Sequence, residues 1–182
     1  ELPPTRFKPY ENEIQTTRQS LVLIGGDGNG YDYSEKDWYR LAFEFKNISS
    51  TFINSKRTPK FAWQNLKENS GPEHKHLDTE ITDLQLLTKN LDEHSHIFVT
   101  ADSTTRISEI ISRGYFVNVI EMRGPIQYEK HHDFMHSLQE KGLIKIMRLD
   151  ELHLSENKYH GNVKKFVVTE RDALKSKLTK LL

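Results

Sequence analysis

The chain has 182 residues, about one domain's worth, with 26 Lys plus Arg against 26 Asp plus Glu, so no global field steers it to nucleic acid or to an anionic membrane. It contains no cysteine, which excludes disulfides, thiolate metal sites and cysteine nucleophiles together. No apolar run approaches the roughly 18 residues of a membrane-spanning helix and the first residues show no signal-peptide pattern, so the expectation is a cytoplasmic protein with no transmembrane segment.

Residues 1–17 carry Pro3, Pro4 and Pro9 among polar residues and read as an extended lead-in or interdomain linker, leaving residues 18–182 as the folded domain. A buried strand is expected over 21–24, running into Gly25, Gly26, Asp27, Gly28, Asn29 and Gly30. A dinucleotide fingerprint fails there: counted from Gly26 its third glycine falls on Tyr31, and counted from Gly28 on Tyr33. A calcium loop fails as well, with Gly25 and Lys36 where carboxylates are needed. What remains is a turn whose backbone N–H groups approach a phosphate or sugar, against the plain reading of a strand-to-helix loop.

A helix follows over 34–48, with Ser34 as N-cap, Asp37 three residues on, and Trp38, Leu41, Ala42 and Phe45 facing inward. The next strand, 51–54, delivers Ser55, Lys56, Arg57 and Thr58 to the same sheet edge. The planar fork of Arg57 matches two phosphate oxygens, Lys56 is the substitute, and a surface basic pair is the competing reading. After Pro59 a helix carries Phe61, Trp63 and Leu66; residues 69–79 read as a loop, and 81–91 resume helical spacing.

The stretch 97–124 is a complete strand–helix–strand unit. Ile97, Phe98 and Val99 form a strand, the helix starts at Asp102 or Ser103 with Ile107, Ile110 and Ile111 on one face, Gly114 ends it, and a parallel strand follows over 116–120. Such a helix start points N–H groups and the positive dipole end into the crevice, and no Glu or Gln stands three residues after either cap to compete for them. Ser103, Thr104 and Thr105 line that start, and Glu109 on the second turn suits vicinal sugar hydroxyls; a capped, empty helix with a solvated Glu is the alternative.

A helix over 128–141 turns Phe134 and Leu138 inward and carries His131, His132 and His136. His132 and His136 have the i, i+4 spacing of a helical zinc pair, but no third ligand is identifiable and no metal is assigned. The last elements are a strand over 143–147 and an amphipathic helix over 170–182, with Thr169 as its cap.

Val99-Thr100-Ala101-Asp102-Ser103, then Ser108-Glu109 and Gly114, resembles the T-A-D-S…S-E…G signature of the mitochondrial fission (elongated mitochondria) protein family of plants and bacteria. Leu21 through Gly26 and Ser55-Lys56-Arg57-Thr58-Pro59 resemble that family's V-L-I-G-G and S-R-R-T-P elements, in the right order. The family is similar to the C-terminal, nucleotide-sugar-binding half of GT-B glycosyltransferases. The resemblance implies an α/β, Rossmann-like, mainly parallel sheet of about five strands with helices on both faces. It also implies a further strand near 69–79, which the residues themselves do not announce.

On that basis the ligand edge gathers Gly26, Asp27, Gly28, Asn29, Ser55, Arg57, Thr58, Asp102, Ser103, Thr104 and Glu109 around a nucleoside diphosphate or nucleotide sugar. Tyr128, Lys130 or a histidine of the same helix is placed to touch the donor sugar. No cofactor is expected and no catalytic residue is assigned, because the acceptor-activating base would belong to a missing N-terminal domain in cis; the chain alone is not expected to catalyse. The alternative is a non-enzymatic interaction module of organelle-fission type on the same fold.

Overall fold

The structure, a computed structural model, describes residues 19–79, 84–124, 129–152 and 160–179. Its strands are β1 (Ser20–Leu23), β2 (Ser50–Ile53), β3 (Lys75–Leu77), β4 (His96–Thr100), β5 (Val117–Glu121) and β6 (Ile144–Arg148). They form one six-stranded sheet in the order β3-β2-β1-β4-β5-β6, with every pairing parallel. Every residue of β1 and β2 is buried, including the small polar Ser20, Ser50 and Thr51, so both faces of the central sheet are covered.

Helices α1 (Glu35–Phe45), α2 (Lys60–Asn69), α3 (Leu84–Glu93), α4 (Thr104–Ser112), α5 (Glu129–Glu140) and α6 (His160–Thr179) connect or follow these strands. On one side Phe45 meets Phe52 and Phe98 edge-to-face, with centroids 5.7 and 5.3 Å apart, and Trp38 stands edge-on to Tyr33 at 5.5 Å. Elsewhere in the core Ile107, Ile110 and Ile111 of α4 are buried as their spacing predicts. Asp37 accepts the Ser34 N–H at 2.7 Å, fixing the start of α1.

Two sequence expectations are corrected. Residues 69–79 are not all loop: β3 pairs Thr51 with Lys75 and Ile53 with Leu77, making six strands where about five were expected. The strand was illegible because Lys75-His76-Leu77 has no apolar run; His76 does an aliphatic residue's work, stacking on Phe52 with centroids 5.4 Å apart and standing 5.5 Å from Trp63. The terminal helix begins at His160, ten residues earlier than the apolar spacing announced, because Val163 and Val167 form a short apolar stripe that packs into the core. The expected lead-in, 1–17, lies outside the described residues, as do the Tyr128 contact and the side chains of residues 173–182 in the expected terminal helix.

β1 lies between β2 and β4, so the chain leaves it toward one edge and later returns to its other side. The strand order reverses there. Loops after the C-terminal ends of β1 and β4 therefore diverge and open a crevice between them, the place where open α/β sheets hold ligands.

Candidate functional site

A cleft of about 550 Å³ occupies this crevice. The ends of β1 and β2, the loop residues Asn29 and Asn54 through Arg57, Thr79, and the first turns of α4 from Asp102 to Arg106 with Glu109 form its walls. Its size falls in the range of small-ligand sites. Ser103 is the N-cap of α4 but makes no side-chain cap bond, so no hydroxyl of its own covers the helix start. The first-turn N–H groups, the positive end of the α4 dipole and the hydroxyl residues Thr104 and Thr105 together face the cleft.

The glycine turn is riveted to this helix start rather than loose. The Gly25 N–H donates to Thr100 Oγ1 at 2.8 Å, and the Gly26 N–H to Asp102 Oδ2 at 3.0 Å. A Cβ on Gly25 would stand 2.0 Å from Asp102 Oδ2, and one on Gly26 would stand 2.0 Å from the Arg57 carbonyl oxygen. These two glycines are required by the close approach of neighbouring loops. Asn29 sits in the left-handed region (φ 50°), from which its Nδ2 donates to the Asp102 carbonyl at 2.6 Å.

Asp102 is the hub and is fully buried, at 0% exposure. Its Oδ2 also accepts from Arg57 Nη2 at 2.8 Å, while Oδ1 has no hydrogen-bond partner among the described residues. Burial pushes its pKa above the ordinary carboxylate value, with Thr100, the Gly26 N–H and the Arg57 guanidinium pulling the other way. Arg57 reaches across the opening: Nη1 donates to the Asp27 carbonyl at 2.9 Å while 44% of its side chain stays exposed. The cation is thus half engaged in holding loops and half presented to solvent.

Among the residues singled out from sequence, Asn29, Ser55, Arg57, Asp102, Ser103, Thr104 and Glu109 meet around the cleft. Gly26, Asp27, Gly28 and Thr58 sit behind its wall. Asp27 Oδ1 accepts the Tyr33 N–H at 3.2 Å, and Thr58 Oγ1 lies 2.5 Å from the Gly25 carbonyl and accepts the Ser55 N–H at 2.9 Å. Lys56 lines the cleft, is exposed, and forms no ion pair among the described residues. Sequence reasoning passed over Asn54, Thr79 and Arg106. Arg106 Nη1 lies 3.4 Å from Glu109 Oε2, a pair the i, i+3 spacing on one helix face signals.

The mitochondrial fission ELM1 profile matches residues 6–170. The chain belongs to the mitochondrial fission ELM1 family. No curated protein matches it. Among solved structures it is similar to YcaC from Pseudomonas aeruginosa, described with hexane-2,5-diol and covalent acrylamide, at 12% identity over 88% of this chain and 94% of that one, TM-score 0.49. It is also similar to the molybdenum cofactor carrier protein of Chlamydomonas reinhardtii, at 13% identity over 84% of this chain and 99% of that one, TM-score 0.45. Membership of the ELM1 family stands on the profile match. Among the described residues of this ELM1 chain, no helix is long and apolar enough to cross a membrane, and no group of three or more metal-binding side chains is gathered.

Proposed function

We propose that this ELM1-family domain binds a nucleoside diphosphate or nucleotide sugar in the cleft at the start of α4. The observation that carries the reading is the uncapped α4 N-terminus, which faces a 550 Å³ cleft with cations on the opposite wall. The diphosphate would lie across the helix start and the Thr104 and Thr105 hydroxyls. Lys56 and the exposed edge of Arg57 would neutralise it, and Glu109 would accept from ribose hydroxyls. Lys56 is the better mobile cation, since moving Arg57 fully onto a phosphate means releasing Asp102 or the Asp27 carbonyl. In this reading an acceptor-binding domain in cis completes a glycosyltransferase-like protein, and electrostatic stabilisation of the departing diphosphate is this domain's share of the chemistry.

The test is a thermal-shift panel of UDP, GDP, ADP and CMP with their sugar conjugates, run on the parent, Lys56→Ala and Glu109→Ala. Ligand at 100 times its Kd adds about 2.7 kcal/mol. For a chain of this size that raises Tm by about 5–11 °C. A shift with one base that shrinks in both variants supports the reading. No shift with any nucleotide, or a shift indifferent to both substitutions, overturns it.

A second reading, a protein-contact module, is favoured by exposed aromatics. Tyr39 and Phe43 project from one face of α1 at 53% and 71% exposure, and Phe61 of the neighbouring α2 is also exposed. In that case Phe43→Ser abolishes activity in the host while Lys56→Ala and Glu109→Ala leave it intact; the opposite pattern supports the ligand site.

A further inference from the structure

Away from the nucleotide cleft, a second cavity of about 220 Å³ opens beside the end of β5. A single ordered water needs only about 10–15 Å³, so there is room for a molecule of several non-hydrogen atoms. Tyr31 and His131, both buried, and the half-buried Glu121 line it, with the exposed His132, His136 and Gln139 at its mouth.

The polar groups of this lining are unequally spent. Tyr31 Oη donates to Glu121 Oε1 at 3.2 Å, and burial together with that carboxylate pushes the phenol's pKa up, so it stays a donor. His132 and His136 hydrogen-bond to each other through their Nε2 atoms at 3.0 Å, and Gln139 Oε1 accepts the Ile146 N–H at 2.7 Å. Two groups are left over. Among the described residues Glu121 is bound by the Tyr31 hydroxyl alone, and His131, at 3% exposure, has a hydrogen-bond partner on neither nitrogen. Buried polar side chains are nearly always partnered, so an orphaned ring in a cavity wall points to a missing ligand. Burial holds that ring neutral, and a neutral imidazole keeps one nitrogen as an acceptor. Tyr31 links the two groups, bonding Glu121 while its ring stands edge-to-face with His131 at 5.4 Å.

Charge and donor count decide between ligand classes. Glu121 is the one carboxylate of the lining, and no Lys or Arg joins it, so an anion would meet repulsion without a countercharge. A neutral alcohol brings one donor for each oxygen. An ammonium group brings three donors and the opposite charge, which makes its bond to a carboxylate roughly twice as strong.

We propose that this cavity binds a small organic cation, a primary amine whose ammonium group donates to Glu121 and to the acceptor nitrogen of His131. Its carbon chain lies against the apolar part of the lining, Ala101, Val119, Met135 and Ile146. The site is independent of the nucleotide reading and uses none of the same side chains.

The experiment titrates the chain by calorimetry with 1,4-diaminobutane, 1,4-butanediol and succinate, which share a four-carbon length and differ in charge. Parent, Glu121→Gln and Glu140→Gln are compared, the last an exposed carboxylate of α5 outside the lining. The methyl resonance of Met135, in the cavity wall, is followed in the parent as a readout that needs no variant to fold. The expected result is one equivalent of diamine, bound at least about tenfold tighter than the diol, with no succinate binding and a moving Met135 methyl. Glu121→Gln keeps an oxygen for the Tyr31 hydroxyl but should weaken the diamine at least about tenfold, while Glu140→Gln leaves it unchanged. No binding at millimolar diamine, a stationary Met135 methyl, or diol or succinate bound as tightly overturns the proposal. Diamine binding that survives Glu121→Gln, or that falls equally in both variants, does the same.

Discussion

If Asp102 is a buried carboxylate held in place by Arg57, removing the guanidinium should cost stability in a way that depends on the carboxylate's charge. The pair is close, at 2.8 Å, with Asp102 fully buried and the Arg57 side chain 44% exposed. Hydrogen bonds to charged groups contribute about 1.5–3 kcal/mol, and solvent around Arg57 places this one at the low end, about 1.5 kcal/mol. At 2–4 °C per kcal/mol for a domain of this size, Arg57→Ala should lower Tm by about 3–6 °C. Asp102→Asn keeps an oxygen for the Gly26 N–H but removes the charge that needs a cation, so it should cost less in the Arg57→Ala background than in the parent. Four melts, of the parent, both single variants and the double, give the coupling directly, expected at about 1 kcal/mol or more. A Tm for Arg57→Ala within about 1 °C of the parent, or strictly additive costs, would refute the hub role given to Asp102.

The other predictions concern the turn, the buried histidines and the aromatic face. Gly26→Ala should destabilise by at least about 1–3 kcal/mol, because its Cβ meets the Arg57 carbonyl, which no rotamer change can move; Gly124→Ala, with nothing within 4 Å, is the neutral control by urea unfolding. Burial holds the pKa values of His76, His94 and His131 below the ordinary 6.5, so below pH 6.5 the unfolded chain takes up protons that the folded chain refuses, and stability should fall as pH drops from about 7 to 5. Asp102 has the opposite sign: its raised pKa means the folded chain keeps a proton the unfolded one has lost, so its contribution falls as pH rises from 3.8. His94 Nδ1 donates to the Asn90 carbonyl at 2.6 Å and Nε2 lies 3.0 Å from Thr51 Oγ1, in a buried site that disfavours the charged ring. His94→Asn should therefore flatten the pH 7-to-5 slope, and an unchanged slope would refute the assignment. Phe43→Ser, at a position 71% exposed, should change unfolding free energy by no more than about 0.5 kcal/mol, so any larger functional effect reports a contact surface.

Much of this architecture is written locally. The β-rich runs 21–24, 51–54, 97–99 and 116–120, the Ser34 and Asp37 helix start, and the isoleucine stripe of α4 each encode their element through neighbours within a turn or a strand, and periodicity reads such signals. The order of these units also placed three loops on one sheet edge, because parallel strands must all end on the same side. What local signals do not carry is partnership. β3 exists because β2 offers it an edge and Phe52 a face for His76. Gly25 and Gly26 read as ligand-facing flexibility, yet their N–H groups are taken by Thr100 and Asp102, about 75 residues away in sequence, and their missing side chains make room for those same neighbours. Arg57 reads as a diphosphate clamp but is half committed to Asp102, and among the described residues Lys56 is a cation of the cleft that forms no ion pair. The sequence by itself determined the strands and helices whose own apolar periodicity and caps announce them, such as β1, α1 and α4, since those depend on short-range sterics and burial. Only the tertiary structure decided which polar groups are consumed by the scaffold and which remain for a ligand, since a hydrogen bond between distant residues leaves no pattern in the chain around either partner.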